Sequence, residues 1–254
     1  MARDIVLCDD LFKLLFKFKK GQITQRQDLK NVESLLCFLK PYLANKRQYD
    51  LIQEEVPTEM RQQLLASGCS DNMSELELAK KKTRFKIILT NNNKLTKFPY
   101  LCINGSDKIE LNYTGTFKKC PRLKCIEHIR ALCSNAHEIR VYDKYLCSNE
   151  NFSNGIFEKF LGLFQNIHSE INLIIELPHH KRYSEQYTAL TSWWKANSIN
   201  YGNIKLTYPQ ASDDFHDRYM IIKSSVGNVE VLLSSGFFHL FNFAKDFTYL
   251  IHSI

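Results

Sequence analysis

The sequence predicts an α/β protein, a mixed sheet flanked by helices with a helical region ahead of it. Three observations carry this. Residues 1–82 place apolar side chains at three- and four-residue spacing among charged ones. From Arg84 onward, short β-branched and aromatic runs appear, beginning with Phe85-Lys86-Ile87-Ile88-Leu89. From Leu123 onward, helical and strand patterns alternate, as they do when helices cover the faces of a sheet. The expected domains are therefore a helical region over residues 1–82 and an α/β domain over 83–254.

In the first region, a helix is expected from Asp9 to Lys20. Acidic residues stand at its positive end, Lys19 and Lys20 at its negative end, and Gly21 beyond it. Leu11, Leu14, Leu15 and Phe18 form its stripe, and Phe12 and Phe16 widen it. A second helix should open with a capping box at Thr24 and Gln27 and bury Leu29, Val32, Leu36, Leu39 and Leu43. Pro41 must kink it or end it at Lys40. A third short helix is expected from Pro57-Thr58 to Gly68, followed by a polar linker or frayed helix from Cys69 to Lys82.

The second region reads as a strand at Phe85–Leu89 and then a hairpin. Its strands are Pro99–Ile103 and Ile109–Phe117, with Asn104-Gly105 as the turn signal. Helices follow at Leu123–Ser134, Gly155–Ile167 and Ser184–Asn197. Strands are expected at Glu138–Tyr142, Ile171–Leu177, Ile204–Tyr208, Tyr219–Ile222, Val229–Leu233 and Thr248–Ile251. Within the helix at 184–197, Trp193 and Trp194 cannot both face inward, so one covers other structure or marks an interface.

Composition bounds the function. Apolar residues make up 44% and charged residues 24%, which suits a globular chain with a packed core. No apolar run approaches the roughly 18 residues of a membrane span, and Met1-Ala2-Arg3-Asp4 lacks signal-peptide character. A cytoplasmic protein is expected. The formal charge of +7 is a modest excess that favours acidic partners, nucleic acid or anionic lipid. The chain has eight cysteines, and all lie at or before Cys147. Cys120, Cys125 and His128 give C-x4-C-x2-H, but Cys125, His128 and Cys133 share one helical pattern, so buried thiols account for them better than a metal. No P-loop, dinucleotide fingerprint, H-E-x-x-H or G-x-S-x-G occurs, and no cofactor is implied.

The chemistry concentrates near the end of the chain. Asp213-Asp214-Phe215-His216-Asp217-Arg218-Tyr219 leads an acidic turn into an apolar strand, and a later strand closes with Ser234-Ser235-Gly236. Two-residue alternation would project His216 and Arg218 from one face. An imidazole and a guanidinium beside a Ser-Ser-Gly turn suit a phosphate oxyanion. The competing reading is that His216 simply hydrogen-bonds the turn at Asp213-Asp214. Asp143, Lys144 and Tyr145 end a strand and either face the same carboxyl-end crevice or cap a turn. His179-His180-Lys181-Arg182, with Tyr183 after it, is a basic loop that either contacts nucleic-acid phosphates or is simply solvated.

On these pieces the chain resembles the phospholipase D-like superfamily. Ile139-Arg140-Val141-Tyr142-Asp143-Lys144-Tyr145, His216-Asp217-Arg218-Tyr219 and Val231-Leu232-Leu233-Ser234-Ser235-Gly236 stand in the family's order. It is similar above all to the phospholipase D-like C-terminal domains that follow microtubule-interacting-and-transport modules, and to bacterial relatives. The resemblance implies a phospholipase D-like mixed sheet. It places His216 at the family's nucleophile and Arg218 at its phosphate-binding Lys. It puts Lys223 where the family has Asp, and Phe237 and Phe238 follow Gly236 with no matching Asn. The family pools two His motifs in one site and this chain has one, so catalysis would require a homodimer.

The resemblance therefore implies a phosphate-ligand binding component, most naturally for nucleic acid, within a larger assembly that the N-terminal helices help to build. Bacterial relatives of this design accompany larger ATPase or nuclease partners in phage defence. Two alternatives stay open: a homodimeric phosphodiesterase or nuclease using His216, and an anionic-lipid-binding or scaffold module.

Overall fold

The computed structural model describes residues 3–52, 62, 72–105, 108–109, 113–165, 167, 169–179, 182–212 and 215–254. The helix expected between Pro57 and Gly68 and the turn at Asp213-Asp214 lie outside these residues. The chain divides into two compact units, Met1–Leu111 and Asn112–Ile254.

The first unit is not purely helical, because its centre is a sheet. Strand β1 (Ile5–Leu7) pairs in parallel with β2 (Tyr42–Leu43) on one side and with β3 (Ile87–Thr90) on the other. Strand β4 (Tyr100–Cys102) continues in parallel beside β3, giving the order β2-β1-β3-β4. Ile5, Val6, Leu7, Ile88 and Leu89 are completely buried, as expected for parallel strands covered on both faces. This pairing moves the domain boundary. The strand read at Phe85–Leu89 hydrogen-bonds to the very start of the chain, so the division falls after Leu111 and not near residue 82. Nor do Pro99–Ile103 and Ile109–Phe117 form a hairpin: β4 belongs to this sheet, while β6 (Tyr113–Phe117) pairs with the C-terminal strand β12 (Phe247–Ser253). A two-residue strand, β5 (Lys108–Ile109), lies between them in sequence. Gly105 still closes a turn, its N–H donating to the Cys102 carbonyl at 3.0 Å.

Helix α1 (Asp9–Lys19) starts where expected and buries Leu11, Leu14 and Leu15 as the stripe requires, with Phe18 the exception. Phe12 and Phe16 are buried, Phe12 packing against Phe16, Tyr42 and Tyr49, while Phe18 is exposed. Helix α2 (Arg26–Phe38) has Gln25 at its N-cap with no side-chain cap, so the Thr24/Gln27 box does not form. Its buried positions are Asn31, Val32 and Leu35, whereas Leu29 and Leu36 are exposed. Pro41 explains why Leu43 is not helical: the helix ends before it, and the Pro41 carbonyl accepts from the Asp4 N–H, aligning β2 with β1. Helix α3 (Lys46–Asp50) opens with an Asn45/Gln48 capping box, and Gln48 Nε2 reaches the Leu7 carbonyl at 2.7 Å.

The polar stretch before Lys82 forms an ordered helix, α4 (Glu75–Lys82), with a Ser74/Glu77 capping box. Its end is held by a buried lysine. Lys86 adopts φ 58°, is 2% exposed, and donates from Nζ to the Lys80 carbonyl at 2.7 Å, where the helix dipole favours a cation.

In the second unit the strands run in the order β6-β12-β11-β10-β7-β8-β9. Here β7 is Ala136–Tyr142, β8 Ile171–Glu176, β9 Ile204–Thr207, β10 Arg218–Ser224 and β11 Val229–Leu233. Strands β7, β8 and β9 are mutually parallel, while β10 is antiparallel to both β7 and β11. Burial alternates along β7, β10, β11 and β12: Ile139, Val141, Met220, Ile222, Val231 and Ile251 are fully buried, and their neighbours are half-buried. Helices α5 (Leu123–Cys133), α6 (Asn149–Ser153), α7 (Ile156–Leu161), α8 (Arg182–Asn197) and α9 (Gly236–Phe241) supply the apolar partners, among them Phe157, Phe160 and Phe237.

Two polar contacts organise this core. His128 Nδ1 lies 3.1 Å from the Tyr249 hydroxyl, and Tyr249 covers Gly115 so closely that a Cβ there would collide with its ring. Buried Arg122 donates to the carbonyls of Asn242 and Lys245 and stacks against Phe243 and Phe247. Burial pushes the Cys125 and Cys133 thiols up. Among the described residues no group of three potential ligands could hold a metal, and no helix is long and apolar enough to cross a membrane.

Burial lowers the Lys86 pKa from 10.5 to about 8. Between these values the unfolded chain binds the extra proton, so this lysine makes stability rise with pH from about 8 to 10.5. Urea unfolding across that window should show the Lys86→Met variant lacking this rise relative to the wild type. An unchanged difference between the two at all pH values would contradict a desolvated ammonium.

Candidate phosphate-binding site

Sheet register alone brings the separated motifs to one rim. Asp143 follows directly on β7, Arg218 opens β10, and Ser234 follows β11. Tyr219 is opposite Tyr142 and Arg218 opposite Leu233, so the end of β7, the start of β10 and the end of β11 meet where the parallel strands present their carboxyl ends. In open α/β sheets this rim is the usual place for ligands.

Asp143 is the centre of the arrangement. It is 4% exposed; its Oδ1 accepts from the Tyr145 N–H at 3.0 Å and its Oδ2 from the Phe237 N–H at 2.9 Å. Burial pushes its carboxyl up, while the two N–H groups and the Arg218 charge oppose that shift. Gly236 makes the approach possible. Its φ is +75°, and a Cβ there would stand 2.6 Å from Asp143 Oδ2 and 3.0 Å from Arg218 Cδ. The loop after Asp143 is pinned from two sides. Asn151 Nδ2 donates to the Tyr145 carbonyl at 2.7 Å, and Gln186 Nε2 donates to the Lys144 carbonyl at 2.8 Å.

Two cations flank the ring of Tyr145, Arg218 at 5.5 Å and Lys144 at 5.3 Å. Among the described residues Arg218 makes no ion pair, and the Ser235 hydroxyl is buried without a hydrogen-bond partner. Ser234 plays a different part. Its Oγ accepts from the Thr248 N–H at 2.9 Å, extending the β11–β12 ladder.

His216 is exposed and stands two residues ahead of β10, outside the pleat, so strand alternation does not set its direction relative to Arg218. Its neighbour Phe215 is held edge-on to Tyr142 at 5.6 Å, and Tyr142 stacks on Tyr219 at 4.3 Å. Of the basic loop, His179 is exposed and its carbonyl accepts from Gln210; His180 and Lys181 lie outside the described residues, and Arg182 begins α8.

One histidine was missed in the sequence. His239 sits on α9, its Nδ1 buried and without a partner, and burial together with the charges of Lys245, Arg122 and Arg218 holds its imidazole below the usual range. Helix α9 is only six residues long, too short for a periodic signal, and the nearest cue was its neighbourhood to Gly236.

Gly236→Ala should destabilise the protein by about 1–3 kcal/mol, since it adds a strained φ and a clash with a buried carboxylate. Gly202→Ala, where a Cβ would meet nothing within 4 Å, should be close to neutral. Asp143→Ala leaves two N–H groups unsatisfied and should cost about 2–4 kcal/mol in urea unfolding. Equal midpoints for the two glycine variants would show that Gly236 is not under constraint.

No known protein family matches the chain, and no curated protein is similar to it in sequence. Among solved structures, it is similar to polyphosphate kinase from Porphyromonas gingivalis at 12% identity and a TM-score of 0.32. That match covers 56% of this chain and 23% of the kinase, so this chain corresponds to about a quarter of that protein's length. A likeness of this size speaks to neither activity nor ligand.

Proposed function

We propose that the second unit binds a phosphate-bearing ligand, nucleic acid in the first place, at the rim formed by Asp143–Tyr145, His216, Arg218 and Ser234–Gly236. The observation that carries this is the Arg218 guanidinium. It makes no ion pair among the described residues and stands over Tyr145 with Lys144 on the same ring and the Ser235 hydroxyl unpartnered. A guanidinium presents a planar fork of donors that matches phosphate oxygens, and a second cation strengthens the site. Asp143 makes no direct ion pair with Arg218; its oxygens accept from the Tyr145 and Phe237 N–H groups.

The same geometry supports the resemblance to the phospholipase D-like superfamily, since the elements carrying the short motifs converge at one place. In that reading the chain is a single-motif, degenerate member. Lys223, in the position of the family's Asp, pairs with Glu138 at 2.8 Å instead of orienting an imidazole. Binding without turnover is therefore favoured, with the exposed imidazole of His216 ahead of β10 as a further ligand contact. Catalysis would need a second copy of the chain to supply the partner histidine. Exposed Leu29 and Leu36 on α2 support assembly with a protein partner through the first unit.

Fluorescence anisotropy of a labelled single-stranded oligonucleotide across a salt series tests the reading. Wild type should bind with affinity falling steeply as salt rises. Arg218→Ala should weaken binding about tenfold or more and reduce the logarithmic salt slope by about 1. Binding to phosphatidylserine vesicles with none to oligonucleotide would transfer the site to anionic lipid. Metal-free cleavage of DNA or RNA by wild type, lost in His216→Ala, would establish the phosphodiesterase alternative.

A further inference from the structure

Near the carboxyl ends of β8 and β9, at the edge of the same sheet, lies an open cavity of about 520 Å³. Arg140, Ile174, Leu206 and Pro209 line it together with two tyrosines, Tyr187 from α8 and Tyr208 from the end of β9. The two rings stand 5.3 Å apart at 60°, and Tyr183 adds a third ring 5.5 Å from Tyr187. Tyr187 is 42% exposed, so a large aromatic ring is left facing solvent. Tyr208 is fixed: its hydroxyl lies 3.2 Å from Thr191 Oγ1.

The cavity lies close to the loop that carries Lys144 and Tyr145. Gln186, the neighbour of Tyr187 on α8, donates from Nε2 to the Lys144 carbonyl at 2.8 Å. Arg140 Nη1 donates to Glu176 at 3.2 Å, which fixes the guanidinium in place. The cavity is open to solvent, and its lining mixes aromatic faces with one oriented cation. A nucleobase is the occupant this chemistry fits: a planar ring to stack on tyrosine, with carbonyl and ring-nitrogen acceptors for a guanidinium. A fatty chain would use neither the tyrosine hydroxyls nor Arg140.

We infer that the cavity between α8 and β9 receives an unpaired base of a single strand whose phosphate is held at the Arg218 rim. This rests on the phosphate-binding reading of that rim, and it makes the ligand single-stranded and not duplex. Base stacking on an aromatic side chain is worth about 1–3 kcal/mol, or roughly 5- to 150-fold in affinity.

The test compares a labelled ten-nucleotide DNA strand with the same strand carrying abasic residues throughout. Tyr187→Ala should weaken binding of the normal strand about tenfold and leave the abasic strand unchanged. Tyr187→Phe should restore binding, and thermal melts should confirm folding of both variants. Arg218→Ala should weaken both strands. If Tyr187→Ala weakens both strands equally, or neither, while Arg218→Ala still weakens both, the cavity is not a base site and its tyrosines only fasten α8 to the edge strand. If Arg218→Ala changes neither strand, the rim reading falls, and the base site stands only if Tyr187→Ala still separates the two strands.

Discussion

The rim of the second unit depends on one buried carboxylate. Asp143 takes an N–H from its own loop and another from the first turn of α9, so the end of β7 and the segment after β11 are held by the same group. Each of those N–H groups would otherwise be short of a partner, and burial makes leaving them unpaired costly. The carboxylate fits only because Gly236 offers no Cβ. Arg218 then shares a small space with a charge that it does not pair with directly, its Cδ lying close to where a Gly236 Cβ would stand.

This arrangement separates support from contact. Asp143, Gly236, Asn151 and Gln186 work inside, fixing backbone, whereas Lys144 and Arg218 lie against the half-exposed ring of Tyr145. Ser234 belongs with the supports, because its hydroxyl is spent on the Thr248 backbone. A site built this way tolerates changes in its outer side chains better than in its inner ones.

Much of the second unit was legible in sequence because its strands alternate. Val229–Leu233 reads buried, half-buried, buried along its length, and the structure places it with those bounds. Helices with clear periodicity, such as Leu123–Cys133, also appear where the pattern puts them. The first unit was harder. Its β1 strand is three residues long and fully buried, and a run so short carries no period to distinguish it from the start of a helix. Helix α1 was placed correctly, and packing of Phe12 against Tyr42 and Tyr49 fixes the buried side of its stripe towards Phe12 and Phe16 and leaves Phe18 exposed.

By itself, the sequence determined the alternation of helices and strands beyond Leu123, the breaks at Pro41 and Gly21, and the residue types available for binding an anion. These are local properties, written in spacing of a few residues and in backbone preferences. Tertiary structure alone decided that β3 joins the first strand of the chain, that Gly236 sits against Asp143, and that His239 lies close to Arg218. Those outcomes join residues roughly twenty to ninety positions apart, and pairings at that range follow from which surfaces pack together, which no short window of sequence records.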